Sequence, residues 1–149
     1  YSAETQALET AGGILNALSL LCPTTQDEIF TVVNGDIFTD FDFDTLPPCL
    51  PEGVGAHLVM VNNPSHNPGG DFYFSEHGLH PQQGCKLTFS GMAVYRKSFF
   101  AQVDAGVKPL APMLRTAINL GLIGAQHFTG QWTDVGTPQR LTELNNIES

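Results

Sequence analysis

Basic residues are scarce in this sequence. Lys and Arg number six among 149 residues, against fifteen Asp and Glu, and the formal net charge is −9 at pH 7. Such a chain, without a basic cluster, repels nucleic-acid backbones and anionic membrane surfaces. We therefore expect neither nucleic acid nor a membrane as a partner. A bound phosphate would need a metal ion, backbone N–H groups or residues outside this chain to offset its charge.

Cysteine and long apolar runs are also scarce. Cys22, Cys49 and Cys85 are widely spaced and form no C-x-x-C pair, which favours a reducing compartment such as the cytoplasm over a disulfide framework. No apolar run is long enough for a membrane span, and no signal peptide is predicted. Because the first residues, from Tyr1, resemble the interior of a domain, we expect a truncation at the N-terminus.

The hydrophobic pattern predicts one α/β domain. The composition, 42% hydrophobic and 14% charged, is typical of a globular protein. Apolar residues at helical spacing occupy 11–21, 110–120 and 137–147. Short runs typical of strands occupy 29–34, 56–61, 71–74, 87–95, 123–128 and 131–135. This order predicts helices packed on a mixed sheet.

Two aspartates directly follow predicted strands. Asp36 ends the segment NGD, and Asp134 lies in the segment TDVG. In open α/β sheets, ligands bind beyond the carboxyl ends of the strands. Mg²⁺ is usually held by one or two protein carboxylates together with substrate phosphates. Asp36 and Asp134 are therefore candidate ligands of one Mg²⁺ ion, and the capping of turns or helices is the alternative role.

Further aspartates follow Asp36 but match no metal loop. An EF-hand starting at Asp36 would need Gly where Phe41 stands. The segment DFDT, from Asp42 through Asp44 to Thr45, resembles the nucleophile loop of haloacid-dehalogenase-type phosphatases, but no apolar strand directly precedes it. Roles at a helix start or on the surface are expected for Asp42 and Asp44, with a metal-dependent phosphatase as a rival hypothesis.

Gly12 and Gly13 lie near the start of a predicted helix, just after Glu9 and Thr10. A backbone without side chains lets a flat ligand lie close, and the free N–H groups of a helix start can bond it. The chain contains neither G-x-G-x-x-G nor a P-loop, so Rossmann or Walker nucleotide binding is not supported. An ordinary turn is the alternative role of the two glycines.

Five segments, taken in order, resemble the sugar-1-phosphate nucleotidyltransferase family. They are LETAGGI, VVNGDIFTDFDF, VNNPSHNPGGDF, LTFSGMAVY and WTDVGTPQRL. The resemblance covers nearly all 149 residues. It implies a Rossmann-like α/β nucleotidyltransferase fold with a mixed, mostly parallel central sheet flanked by helices. It also implies that 1–149 form the C-terminal two-thirds of a single domain.

The resemblance also implies roles for particular residues. Asp36 and Asp134 would be the catalytic carboxylates that bind Mg²⁺. The nucleotide would lie against Glu9, Thr10, Gly12 and Gly13. The residues expected on the sugar side are Asn63, Gly70, Asp71, Ser90 and Gly91.

The implied reaction joins a nucleoside triphosphate and a sugar 1-phosphate to give a nucleotide sugar and pyrophosphate. The family's Gly-rich triphosphate loop is absent from this sequence. Where many relatives place Glu or Glu-Lys, only Lys86 is a candidate here, and Phe89 replaces an Asn that some relatives carry. The sugar and the base are therefore left open. A non-catalytic sugar- or nucleotide-binding fragment is the second rival hypothesis, and a homo-oligomer would cover any exposed sheet face.

Overall fold

The computed structural model describes residues 2–3, 8–101 and 106–147. The helices are α1 (Glu9–Leu21), α2 (Leu110–Asn119) and α3 (Pro138–Ile147). The strands are β1 (Ile29–Val33), β2 (Ile37–Thr39), β3 (Ala56–Val61), β4 (Phe72–Ser75), β5 (Gly78–His80), β6 (Cys85–Arg96), β7 (Ile123–Phe128) and β8 (Trp132–Asp134). Within these ranges no helix combines the length and the apolar character needed to cross a bilayer.

Strand β6 organises the main sheet. One of its edges pairs with β3, and β3 pairs in turn with β7. Its other edge pairs first with β4, through residues 85–87, and then with β1, through residues 92–96. Residues 88–91 of β6 therefore lie between two partner strands on this edge, and they form the floor of the site described below.

The predicted α/β fold with a mixed sheet is confirmed, but its strands do not pair mostly in parallel. Among the described strands, β3 and β7 form the only parallel pair. The reason is β6, which runs antiparallel to each of its three partners, β4, β1 and β3. Because β1 and β3 both oppose β6, they share one direction with β7, as expected for an α/β chain order.

A second, two-stranded sheet joins distant parts of the chain. β2 pairs with β8 in an antiparallel ladder that sets Ile37 opposite Asp134 and Thr39 opposite Trp132. The sequence pattern did not predict β2, which has three residues. Because β2 pairs with β8, the segment that follows β1 lies beside the end of β8.

The core lies on both faces of the main sheet. Alternate residues of a strand point to opposite faces. In β3, Leu58 and Met60 therefore join the larger cluster, to which α1 and α2 contribute, whereas Val59 joins a smaller cluster with Phe41 and Met92. Both faces of β3 are covered, so this strand forms a rigid centre for the sheet.

Tyr95 brings a hydroxyl group into the larger cluster. Its side chain is fully buried, and its ring lies 5.7 Å from that of Phe99 and 5.4 Å from that of Phe100, measured between centroids. The hydroxyl has no hydrogen-bond partner among the described residues. Burial raises the pKa of Tyr95 well above its ordinary value, so the group stays neutral. A buried, unpaired hydroxyl of this kind costs about 1–3 kcal/mol.

We predict that Tyr95→Phe keeps or increases the free energy of unfolding, by up to about 1 kcal/mol, because only an unpaired hydroxyl is removed. Urea denaturation followed by circular dichroism measures the change. Tyr73→Phe is the matched control, since Tyr73 is half-buried beneath the Lys86 ammonium group, and a change within about 0.5 kcal/mol is expected. A loss of more than about 1 kcal/mol in Tyr95→Phe would show that the hydroxyl makes a stabilising bond.

Candidate functional site

The interval between the two partners of β6 opens a polar cavity of about 260 Å³. On one side, the N–H of Asn34 donates to the carbonyl of Gly91 over 3.0 Å, which attaches the segment after β1. On the other side, the N–H of Asp71 donates to the carbonyl of Leu87 over 2.8 Å, which attaches the start of β4. We call this space the carboxylate cavity, because Asp36, Asp71 and Asp134 all line it.

Asp36 and Asp134 are brought together in this cavity. The β2–β8 ladder sets their neighbourhoods side by side, and the N–H of Val135 donates to the carbonyl of Asp36 over 2.7 Å. A Cβ atom placed on Gly136 would lie 2.9 Å from Asp36 Oδ2 and 2.9 Å from Asp134 Oδ1. Two carboxylate oxygens therefore face one small space, which the missing side chain of Gly136 leaves open.

Protein donors surround Asp134. Its Oδ1 lies 3.1 Å from Arg140 Nη2 and accepts the N–H of Gly136 over 2.8 Å. Its Oδ2 lies 3.7 Å from His66 Nε2. Asp134 is therefore linked to α3, to the turn after β8 and to the loop after β3.

The donor atoms of the pair fit a hard divalent cation. Carboxylate oxygens are the protein ligands that Mg²⁺ prefers, and waters and substrate phosphates commonly complete its octahedral shell. No group of three or more His, Cys, Asp or Glu side chains able to hold a metal ion occurs in the described part of the chain. Asp36 and Asp134 would thus supply a minority of the ligands, and water or substrate oxygens would supply the others.

Asp71 completes the hydrogen bonding of β6. Its Oδ2 accepts the N–H of Phe89 over 2.9 Å, and its Oδ1 accepts the side-chain amide of Asn67 over 3.0 Å. The hydroxyl of Thr88 donates to Asn63 Oδ1 over 2.9 Å, and Asn63 Nδ2 donates to the carbonyl of Lys86 over 3.0 Å. Asn63 and Asp71 were predicted to bind substrate. In the structure their side chains hold the loop 62–71 against β6.

Two predicted glycines have left-handed backbone conformations that make room for asparagines. Gly70 has φ +61°, and a Cβ on it would lie 2.7 Å from Asn63 Oδ1. Gly91 has φ +82°, and a Cβ on it would lie 2.6 Å from Asn34 Nδ2. Ser90 is buried, and its hydroxyl accepts the N–H of Met92 over 3.1 Å. Of these residues, Ser90 and Gly91 form part of the floor of the carboxylate cavity.

A second cavity, of about 490 Å³, adjoins the first at the start of α1. We call it the α1 cavity. Glu9 and Thr10, two of the predicted nucleotide-binding residues, line it. It shares Asn34, Asp71 and Phe89 with the carboxylate cavity, so the two spaces form one groove.

The other two predicted nucleotide-binding residues are placed differently. Gly12 is buried, and a Cβ on it would lie 2.3 Å from the carbonyl oxygen of Gly106. The N–H of Ala11 donates to the carbonyl of Lys108 over 3.2 Å, which keeps this segment against α1. Gly13 is half-buried inside the helix. The absence of a side chain at Gly12 therefore serves close packing rather than an open ligand surface.

Asp40 and Asp42, which follow Asp36 along the chain, have structural roles. Asp42 Oδ1 accepts the N–H of Asp44 over 3.0 Å and caps the short 3₁₀ helix Phe43–Thr45. Asp40 Oδ1 accepts the N–H of Gln131 over 2.7 Å. Neither Asp42 nor Asp44 lines the groove. These positions agree with the helix-start role expected for Asp42.

Sequence reasoning missed Asn34, His66 and Arg115 as residues of the groove, and it missed Arg140 as a contact of Asp134. Asn34 carried a usable signal, since it precedes the Gly-Asp pair at a strand end. Arg140 stands only one turn into the helix that follows Asp134, and that proximity was also visible in the sequence. No local pattern marks His66 or Arg115, whose positions depend on packing.

Comparisons with solved structures identify the fold. HddC from Yersinia pseudotuberculosis, complexed with GMP-PN, matches with a TM-score of 0.69 at 17% identity, covering 98% of this chain and 65% of that one. The inositol-1-phosphate CTP transferase from T. maritima matches with a TM-score of 0.66 at 16% identity, covering 97% of this chain and 63% of that one. The predicted Rossmann-like nucleotidyltransferase fold is thereby confirmed.

The sequence comparison is more specific. The chain is 45% identical, over 94% of its length, to N-acetylmuramate alpha-1-phosphate uridylyltransferase of Neisseria meningitidis serogroup B, and it covers 62% of that protein. The predicted resemblance is confirmed: the chain is similar in sequence to this uridylyltransferase and in fold to solved nucleotidyltransferases such as the inositol-1-phosphate CTP transferase. No protein-family model matches the chain. The chain spans 62% to 65% of the length of the three proteins named here.

We predict that Gly91→Ala lowers the free energy of unfolding by more than about 1 kcal/mol, because a side chain there combines a left-handed backbone with a clash against Asn34. Gly35→Ala is the matched control. Gly35 precedes Asp36 without a positive φ, and no atom lies within 4 Å of its virtual Cβ. A change within about 0.5 kcal/mol is expected for it in the same urea titration. Equal effects of the two substitutions would contradict the packing described for Asn34 on Gly91.

Proposed function

We propose that the protein transfers a nucleotidyl group from a nucleoside triphosphate to a sugar 1-phosphate and releases pyrophosphate. One observation carries this proposal: the carboxylates of Asp36 and Asp134 face one space at the end of a groove that begins at the start of α1. That arrangement suits a substrate with a base at one end and a chain of phosphates at the other.

We propose UTP and N-acetylmuramate 1-phosphate as the substrates. The 45% identity to N-acetylmuramate alpha-1-phosphate uridylyltransferase supports this pair. The product would be a uridine-diphosphate sugar, which places the protein in the recycling of peptidoglycan, the cell-wall polymer. A guanylyltransferase acting on mannose 1-phosphate is the alternative, and it has less support because the sequence identity is to a uridylyltransferase.

The chemistry requires positioning more than proton transfer. An oxygen of the sugar phosphate attacks the α-phosphorus in line, a P–O bond forms, and the bond to the β-phosphate breaks to release pyrophosphate. The attacking oxygen is already anionic, so no protein base is needed. The difficulty is that two anions must meet, and here electrostatic stabilisation contributes most. Mg²⁺ held by Asp36 and Asp134 would neutralise phosphate charge at this position.

The basic residues of the chain support this assignment of the groove. Of the six Lys and Arg, Arg115 lines the α1 cavity and Arg140 contacts Asp134. Arg96 and Lys97 bond backbone carbonyls instead, and they stabilise the fold away from these cavities. The groove therefore has few cations of its own, and a polyphosphate would depend on a metal ion.

The largest cavity described for this chain, about 670 Å³, lies elsewhere. Val54, Gly55, Leu120 and Leu122 line it, and it is mainly apolar. None of the predicted site residues does. Apolar atoms make up most of its surface, and the predicted site residues lie elsewhere, so we place the reaction in the smaller groove.

The three cysteine thiols bear on the cellular location of the protein. Cys22 is buried, Cys49 and Cys85 are exposed, and all three are free. Exposed free thiols are typical of a reducing compartment, so we propose the cytoplasm as the location.

Because the chain spans 62% of its relative, a sugar- or nucleotide-binding fragment without activity is the second candidate function. Calorimetric titration of Mg²⁺·UTP into this chain, and into one extended upstream, separates the two.

We predict that Asp36→Asn in the intact protein lowers turnover at least about a hundredfold, because a charged metal ligand becomes neutral at the reacting phosphate. The melting temperature should stay within a few degrees, since no side-chain bond of Asp36 supports the described core. Release of pyrophosphate from UTP and N-acetylmuramate 1-phosphate measures the effect.

Asp42→Asn is the matched control for this experiment. Asn caps a helix start about as well as Asp, and Asp42 lies outside the groove, so turnover and stability should both persist. Near-normal turnover in Asp36→Asn, or phosphatase activity abolished by Asp42→Asn, would reject the proposed site.

A further inference from the structure

Arg140 places a positive charge beside the acidic pair. Its Nη2 lies 3.1 Å from Asp134 Oδ1 and 3.4 Å from the virtual Cβ of Gly136. That same point lies 2.9 Å from Asp36 Oδ2 and from Asp134 Oδ1. The guanidinium group therefore borders the small space that the two carboxylates share.

The guanidinium group is incompletely bonded. Its Nε is buried and has no hydrogen-bond partner among the residues that the structure describes. The side chain of Arg140 is 25% exposed, and that of Asp134 is 28% exposed. An ion pair of this exposure contributes modestly to stability. The link that Arg140 makes between α3 and the end of β8 therefore explains its position only in part.

Charge gives Arg140 a second effect. Two carboxylates facing one space repel each other, and a nearby guanidinium group offsets that repulsion. The same positive charge opposes a divalent cation that approaches Asp134. A triphosphate would reverse this opposition, because its oxygens can bind the cation and its negative charge offsets that of the guanidinium group.

On the basis of the proposed function, we propose that Arg140 is an internal counter-ion of the Asp36–Asp134 pair. It stabilises the pair while no metal is bound, and it suppresses the binding of a free divalent cation. Asp36 and Asp134 would consequently hold a divalent cation together with a nucleoside triphosphate rather than alone. Arg140 acts through Asp134 and is thus a positioning residue.

The test measures the affinity of this chain for Mn²⁺ alone, by the relaxation of water protons. Mn²⁺ takes the same oxygen ligands as Mg²⁺. Arg140→Gln and Arg140→Met, which remove the charge, are expected to tighten Mn²⁺ binding about twofold to tenfold. Arg140→Lys retains the charge and should keep the affinity near that of the unchanged chain. Circular dichroism checks that each variant is folded.

Two controls separate the possible results. Lys108→Gln removes one positive charge from a residue outside the lining of both cavities, and it should leave the affinity unchanged. The double variant Asp36→Asn, Asp134→Asn should lose Mn²⁺ binding. The counter-ion role is overturned if the double variant loses binding while folded Arg140→Gln and Arg140→Met bind no more tightly than the unchanged chain.

A different result would reject the metal site itself. If the double variant and both charge-removing variants all bind Mn²⁺ as the unchanged chain does, the acidic pair is not a cation site, and the counter-ion role falls with it. Tighter binding in Lys108→Gln to the same degree as in Arg140→Gln would also overturn the proposal, because net charge alone would then explain the effect.

Discussion

The change of partner along one edge of β6 is the constraint on which this site depends. β4 bonds the start of that edge and β1 bonds its end, so the backbone between them has no strand beside it. The carboxylate of Asp71 bonds the N–H of Phe89, and the N–H of Asn34 bonds the carbonyl of Gly91. An unpaired polar group in a buried position would cost about 1–3 kcal/mol, so these contacts are needed for the sheet. The same interruption leaves the room in which a ligand can lie, and sheet stability and groove shape therefore have one origin.

The parts of the fold that were predictable are those with a strong local signal. The spacing of Leu110, Leu114 and Ile118 marked α2, and the apolar run of β3 marked a strand that is covered on both faces. The position of Asp36 after β1 followed from the same logic. β2 could not be predicted, because its three residues form a strand only through the ladder with β8. The antiparallel course of β6 was also hidden, since it depends on the pairing of β6 with β1, β3 and β4 rather than on composition.

The site residues also differ in whether a local sequence signal marked them. Motif resemblance indicated Asn63, Asp71 and Ser90 as substrate contacts, yet their polar atoms bond the loop 62–71, β6 or its backbone. A motif marks residues that shape a groove as well as residues that touch a ligand, and sequence alone does not separate the two. Arg140 shows the converse, because its importance lies in a distance to Asp134 that only the turn after β8 determines.

The two aspartates come from distant segments, one after β1 and the other at the end of β8, and those segments are joined by the short β2–β8 ladder and the hydrogen bonds that flank it. An unfolded chain holds these carboxylates apart and offers an ion no shared position. Any cation that bridges them therefore binds the native state alone, and thermodynamic linkage makes conformational stability rise with its concentration. Such an ion would cross-link the segment after β1 to the C-terminal segment that begins with β8. Removal of the ion by a chelator would therefore destabilise that C-terminal segment first.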